Sequence, residues 1–200
     1  MDATEWRTAD DLRSMLQVVC TQSADPRKMR LLAAAFSRHG GAFPHDKEWQ
    51  RLLVCVERMA DGGQIDPGLP KYNTFFHHSG ITWLSKALQT QTAYGAPFGV
   101  GINGSVGDRK HATLFREIVR DVFDNPFDPP TLAQTPNDEL RLLAAGIYES
   151  FAFERMGELG KKLREAGIQD SRLLAHCDGR SIHVRGCWVL DLVMGTRART

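Results

Sequence analysis

The stretch DPRKMRLLAAAFSRHGG, residues 25–41, carries signals for a helix at both of its ends. Asp25 is of a type that accepts hydrogen bonds from the free amides of a first helical turn, and Pro26 has no amide that would need a partner there. The apolar residues that share one face of this helix are Met29, Leu32, Ala33 and Phe36. Because Gly40-Gly41 ends the pattern, the stretch predicts one helix with a buried face.

The same spacing of apolar residues recurs along most of the chain. The predicted helices cover approximately residues 12–19, 26–39, 46–60, 81–93, 114–122, 140–151, 153–166, 170–176 and 188–193. No segment shows a long alternation of apolar and polar residues, which is the pattern of a strand. The sequence therefore predicts a mainly α fold, a single-domain bundle of seven to nine helices over residues 1–200.

The centre of this predicted bundle differs from its ends. Glycine and proline interrupt residues 63–108 so often that only 81–93 keeps a helical pattern. We expect helices in residues 1–62 and 109–200, with an irregular Gly/Pro-rich segment between them.

Composition and charge restrict the kinds of partner. The 200 residues carry a formal net charge of +1, which provides no long-range field to attract nucleic acid or an anionic membrane. The first residues lack the features of a secretory signal, and no apolar run approaches the ~20 residues that cross a bilayer. We therefore expect a cytoplasmic protein with no membrane partner, whose four cysteines are thiols.

Metal-binding residue types are densest near the end of the sequence. His176, Cys177, His183 and Cys187 lie within twelve residues, and a turn between two short helices would bring three or four of them together. Zinc takes four ligands in a tetrahedron, nitrogen and sulfur among them, so zinc is the cofactor that this turn would hold. The alternative has no cofactor: the cysteines pack as thiols, and the histidines hold the turn by hydrogen bonds. Cys187 would begin the last helix, whose dipole lowers a thiol pKa, and is predicted to be the reactive cysteine.

Two further groups are candidates for binding a partner. The first is an aromatic and imidazole run in the irregular segment, formed by Tyr72, Phe75, Phe76, His77 and His78. Such side chains suit a protein-binding surface or stacking on bases, and the alternative is that they anchor a loop to the core. The second group, for contacts with nucleic-acid phosphates, is the set of arginines Arg180, Arg185, Arg197 and Arg199. A solvated face and a frayed end are the alternative interpretation of these arginines.

Several short segments stand out as a set. They are RKMRLL (27–32), VERMADG (56–62), DNPF (124–127), IYE (147–149), LLAHC (173–177) and HVRGCWVLDL (183–192). Together they resemble an uncharacterised family of proteins from planctomycete bacteria, which usually has further cysteines where this chain reads AAAFS (33–37). That family has no assigned activity, so the resemblance implies a helical domain and a bacterial cytoplasmic setting.

Catalytic motifs are absent from the sequence. It contains no nucleophile elbow, no H-E-x-x-H and no P-loop. We therefore expect a noncatalytic helical module that binds another protein. The alternative is a metal-binding protein, or a metal-assisted enzyme, that uses the turn from His176 to Cys187. A nucleic-acid-binding accessory protein is the third hypothesis.

Overall fold

The computed structural model describes residues 1–22, 25–40, 47–64, 109–179 and 181–196. These residues form helices and contain no strand, so the prediction of a mainly α fold is confirmed. The helices are α1 (Ala3–Thr8), α2 (Leu12–Gln22), α3 (Pro26–His39), α4 (Lys47–Ala60), α5 (Arg109–Phe123), α6 (Asp138–Ser150), a 3-10 turn (Phe153–Arg155), α7 (Met156–Glu165), α8 (Ser171–Asp178) and α9 (Trp188–Met194). Among the described helices, none is long and apolar enough to cross a bilayer. The predicted helix 81–93 lies outside the described residues.

Helix α3 lies at the centre of the first group of helices. The Asp25 carboxylate accepts the amide hydrogens of Arg27 and Lys28, as the sequence predicts. More than one face of α3 is buried, because α4 packs on one side of it and α5 packs on another. The ring of Phe36 stacks on that of Phe115 from α5, with 4.5 Å between the ring centroids.

Helices α1–α5 surround one apolar cluster, and we call them the N-terminal half. The buried members of this cluster are Trp6, Leu12, Met15, Leu16, Val19, Met29, Leu32, Ala34, Ala35, Phe36, Trp49, Leu52, Leu53, Val56, Phe115, Ile118, Val119, Val122, Phe123 and Val184. Val184 alone in this set comes from outside the five helices. Helix α1 is absent from the sequence-based prediction. Its Asp2 and Glu5 form a capping box, and its Trp6 indole donates a hydrogen bond to the Asp124 carbonyl.

Helices α6–α9, with Cys187 at the start of α9, surround a second apolar cluster and form the C-terminal half. The buried members of this cluster are Leu140, Ala144, Ile147, Tyr148, Met156, Leu159, Leu163, Ile168, Leu173, Cys177, Cys187, Trp188, Val189, Leu190 and Val193. Helix α7 lies close to α8 at Gly160, where a methyl group would come within 2.8 Å of Cys177 Cβ. Within the part of the chain that the structure describes, the two halves therefore have separate apolar interiors.

Residues 181–186 cross the boundary between the two halves. We call these residues the connecting segment, and we call the boundary the seam. Val184 of this segment is buried in the first cluster, and Cys187, three residues later, is buried in the second. Gly186 has a φ of +91°, and a methyl group there would lie 3.1 Å from the Leu31 side chain of α3. Glycine is required at this position because the conformation is left-handed and the space is filled.

Helix α6 ends at Phe151, which also has a left-handed backbone, with a φ of +56°. Its amide donates to the Ile147 carbonyl and closes the last turn. The guanidinium groups of Arg38 and Arg185 lie over its ring, at 5.3 and 5.1 Å from the centroid. An aromatic residue thus occupies a position where glycine is the usual choice.

Candidate metal centre

Four side chains from four parts of the chain converge at the seam. They are Asp121 from α5, His176 from α8, His183 from the connecting segment and Cys187 from the start of α9. One potential ligand atom from each residue lies within 4.8 Å of all the others. The Asp121 side chain is 1% exposed, that of His183 6% and that of His176 14%, and Cys187 is fully buried. The group is therefore polar, compact and almost shielded from solvent.

Both imidazoles direct one ring nitrogen at the same carboxylate oxygen. His176 Nε2 and His183 Nδ1 each lie 3.0 Å from Asp121 Oδ1. The same two nitrogens also face the Cys187 sulfur, at 3.3 Å for His176 and 4.0 Å for His183. The four atoms thus surround a common point.

This convergence differs from the arrangement of a nucleophilic triad. In a triad, one imidazole nitrogen faces the nucleophile while the opposite nitrogen faces the carboxylate. In the present group, a single nitrogen of His176 faces both the Cys187 sulfur and the Asp121 oxygen. The geometry therefore does not relay a proton from the cysteine through the ring to the carboxylate.

The Asp121 carboxylate is held in place by the backbone as well as by the imidazoles. The amide of Val184 donates to its second oxygen, Oδ2, over 2.8 Å. Burial raises the pKa of Asp121, but hydrogen bonds and electrostatic interactions with His176 and His183 together outweigh burial and leave this pKa below its ordinary value. These contacts favour the anionic form of Asp121 inside the protein.

Cys187 does not have the lowered pKa that its place at a helix start predicts. Burial raises the pKa of its thiol well above the ordinary value, and Asp121 raises it further. The amides of Val189 and Leu190 lower this pKa, but by less. The prediction of a lowered pKa for Cys187 is wrong because the helix terminus acts on a thiol that has lost its contact with water.

The two histidine rings are fixed by their neighbours. They meet edge to face with 4.8 Å between centroids, and the ring of Trp188 lies 5.1 Å from that of His176. The second nitrogen of His183, Nε2, is buried and has no hydrogen-bond partner among the described residues. The polar contacts of the His183 ring are therefore directed at the four-residue group.

The sequence-based prediction contains three of these four residues, His176, His183 and Cys187. Cys177, the other predicted ligand, is absent from the group and packs against Gly160 in the second apolar cluster. Consecutive helical residues point about 100° apart, so His176 and Cys177 face different neighbours. Burial raises the pKa of Cys177 to about 12.

Asp121 was missed by sequence reasoning, although the sequence contains a signal for it. It lies three positions after Ile118, on the same side of α5 as the apolar residues of that helix. A carboxylate beside a buried stripe needs a partner inside the protein. The partner, however, is far away in the chain, so the position alone did not identify a metal ligand.

A second polar group crosses the seam beside the first. Arg27 of α3 donates to Asp191 of α9 over 2.8 Å and to the Tyr148 hydroxyl of α6 over 3.0 Å. The Tyr148 hydroxyl donates to Asp61, with distances of 2.9 and 3.0 Å to its two oxygens. Hydrogen bonds thus join Arg27 to Asp191 and Tyr148 to Asp61 across the seam.

Arg185, a candidate for contacts with nucleic acid, is directed into this second group. Its guanidinium lies 3.8 Å from Glu57 and 3.5 Å from Asp61, and its side chain is 17% exposed. It also stacks on the Tyr148 ring, at 4.6 Å from the centroid. Arg185 therefore has two carboxylate partners and an aromatic partner, and most of its side chain is shielded from solvent.

The other predicted binding residues lie outside the described residues. These are Arg180, Arg197 and Arg199 from the arginine set, and Tyr72, Phe75, Phe76, His77 and His78 from the aromatic run. Their roles stay predictions.

A cleft of about 330 Å³ opens along the seam near the metal candidate. The N-terminal half contributes Lys28 and Phe123 to its walls, and the C-terminal half contributes Trp188 and Asp191. Lys28 donates to the Val122 carbonyl at the end of α5 over 2.6 Å. Because both halves line it, the cleft exists only while they are docked.

Comparison with known proteins does not identify a function for this chain, so the function is inferred from the geometry of the site. No family model, curated protein or solved structure matches this chain. The resemblance to planctomycete proteins therefore stays a prediction.

Proposed function

We propose that this protein binds one divalent zinc ion through Asp121, His176, His183 and Cys187, and that the ion has a structural role. The observation that carries the proposal is the convergence of two imidazole nitrogens, one carboxylate oxygen and one sulfur on a single buried point. Hydrogen bonding alone requires no such common point.

The spacing of the four atoms suits a tetrahedral ion. Zinc bonds of about 2.0–2.3 Å in a tetrahedron place neighbouring ligand atoms about 3.3–3.6 Å apart. The contacts from His176 and His183 to Asp121 and Cys187 run from 3.0 to 4.0 Å, on both sides of that interval. The remaining pairs of ligand atoms lie within 4.8 Å of each other, so rotations of the side chains would have to bring the group to the ion.

The charges of the ligands favour a divalent ion. Two of them are anionic when bound, the Asp121 carboxylate and the Cys187 thiolate, and the two imidazoles are neutral. Their sum cancels a charge of +2, so the complete group is neutral, and an uncompensated charge in such a buried place is strongly unfavourable. Mixed nitrogen, sulfur and oxygen ligands select zinc over magnesium or calcium, which prefer oxygen alone.

The site has the character of a structural centre. Catalytic zinc sites keep one position open for water or substrate, whereas structural sites take four protein ligands. Here four side chains are available, and the surroundings are nearly closed to solvent. The Val184 amide that orients Asp121 is the type of outer contact that fixes a metal ligand.

A structural ion is compatible with the role that the sequence predicts first, a noncatalytic module that binds another protein. That role, and the third hypothesis of nucleic-acid binding, stay predictions because most of their candidate residues lie outside the described part of the chain. The metal proposal does not depend on either of them.

Elemental analysis of the full chain, purified without a histidine tag, tests the proposal. We expect one zinc ion per chain, retained through gel filtration. Cys187→Ala removes a ligand and is expected to abolish the zinc content. Cys177→Ala is the matched control, because it also removes a buried thiol from the C-terminal half, and it is expected to keep the ion.

Cobalt substitution gives an independent readout of the geometry. We expect the absorption bands of tetrahedral cobalt together with one thiolate-to-cobalt charge-transfer band, which disappears in Cys187→Ala. A protein that takes up neither zinc nor cobalt would contradict the proposal. Equal loss of zinc from both cysteine variants would contradict the ligand assignment.

A further inference from the structure

We infer that the zinc ion docks the C-terminal half onto the N-terminal half, so that its removal lets α6–α9 open from the seam while α1–α5 stay folded. This inference rests on the proposed function, and it concerns how that site controls the conformation of the chain. Three observations carry it: the separate apolar interiors, the polar seam and the distribution of the ligands.

In the described residues, the apolar interiors of the two halves form two separate clusters. Buried members of the first cluster come from α1–α5 and from Val184, and those of the second come from α6–α9, Ile168 and Cys187. Across the seam, α5 is the helix of the first half that packs on α9. Burial of apolar surface therefore stabilises each half more than it stabilises their docking.

Several polar contacts cross the seam in the described residues. The link from Arg27 to Asp191 and the link from Tyr148 to Asp61 both cross it. For buried ion pairs, the loss of hydration offsets much of the attraction between the charges. Interfaces of this polar kind between parts of one chain open more readily than apolar ones.

The ligands of the proposed ion are divided between the halves. Asp121 belongs to the N-terminal half, whereas His176 and Cys187 belong to the C-terminal half. The ion reaches its full coordination only when the halves are docked. By linkage, its binding free energy therefore stabilises the docked state relative to the open one.

Opening would affect groups that are far from the ion in sequence. His176 would lose its contact with Asp121, and the cleft between Lys28 and Trp188 would cease to exist. The backbone amides of α6 and α9 would gain access to water, while those of α3 would stay inside the first cluster.

Hydrogen–deuterium exchange of the full chain measures these amides directly. Zinc-loaded protein is compared with the same protein after chelation and again after zinc is added back. On chelation, we expect exchange in α6 and α9 to become faster by about tenfold or more, with little change in α3. Zinc is expected to restore the original rates.

A variant of a ligand from the N-terminal half provides the second arm. Asp121→Asn removes the charge that crosses the seam to the ion, and it is expected to show fast exchange in α6 and α9 even when zinc is present. Cys177→Ala, which leaves the ligand group intact, is expected to exchange like the wild type. If Asp121→Asn does not fold, withdrawal and return of zinc in the wild type decide the question.

The possible failures are distinguishable. A chain that binds no zinc contradicts the proposed function itself. A chain that binds one zinc ion, but whose two halves lose protection equally on chelation or do not lose it, keeps the proposed function and overturns the inference about docking.

Discussion

The interior of the N-terminal half and the seam are built on opposite principles. In the interior, apolar side chains of α2–α5 fill space, and a residue such as Phe36 is stabilised by many weak contacts. At the seam, a few cations and imidazoles pair with carboxylates, as Arg27 pairs with Asp191. The interior therefore supplies stability, whereas the seam supplies a specific arrangement that depends on each partner being present.

Phe36→Ala is expected to have the largest effect on stability. Phe36 is fully buried and stacked on Phe115, so its loss leaves a cavity and is expected to lower the free energy of unfolding by about 3–5 kcal/mol. Urea titrations of the zinc-loaded and zinc-free proteins should show the same loss. Leu142→Ala, at a side chain that is 73% exposed, is the control and should stay within about 0.5 kcal/mol of the wild type. A loss that depends on zinc would show that the interior and the seam are not distinct.

Arg27→Met is expected to have the next largest effect, because it leaves the buried Asp191 carboxylate without its closest cation. We expect a loss of about 2–3 kcal/mol in urea titrations with zinc present. Arg27→Met combined with Asp191→Leu replaces both charges, and it should recover at least half of that loss. If the double variant is as unstable as the sum of the two single ones, the seam depends on this pair for stability as well as for specificity.

Gly186→Ala is expected to lower the free energy of unfolding by about 2 kcal/mol, because it combines backbone strain with crowding against Leu31. Gly62 has a similar left-handed backbone with open space around its Cα, so Gly62→Ala measures the strain alone, about 1 kcal/mol. The difference between the two variants reports how tightly the connecting segment fits at the seam. Equal losses would mean that Leu31 moves aside.

Gly160→Ala is expected to have the smallest net effect. The added methyl meets Cys177 and costs about 2 kcal/mol, while alanine favours the helix by about 1 kcal/mol, which leaves a net loss of about 1 kcal/mol. Gly146→Ala, in α6 with open space around it, should raise stability by about 0.5–1 kcal/mol. Thermal melts of both variants with zinc bound test this. If Gly160→Ala is more stable than the wild type, α7 and α8 pack less closely at Gly160 than the distance of 2.8 Å to Cys177 indicates.

Local patterns in the sequence were sufficient for the interior. The limits of α3 follow from Asp25 and Gly40, and its apolar stripe identifies three members of the first cluster, Met29, Leu32 and Phe36. Helix α1 escaped prediction because its six residues are too few to show a period, although Asp2 and Glu5 are typical of a capping box.

The seam was only partly predictable, because its residues find partners across long stretches of chain. His176, His183 and Cys187 are close in sequence, so their proximity in space was foreseeable, whereas Asp121 comes from another helix. Arg185 was assigned to a solvated basic face because composition does not reveal that distant carboxylates, such as Glu57, neutralise it inside the protein.

The contacts of Phe151 affect how this protein can be redesigned. A common engineering rule replaces a residue in a left-handed helix end by glycine to relieve backbone strain. Here the strained residue offers the ring that Arg38 and Arg185 share, so the rule would release two guanidinium groups together with the strain. Automated stabilisation that scores each position by its own backbone would therefore exchange a small local improvement for a looser junction between distant parts of the chain.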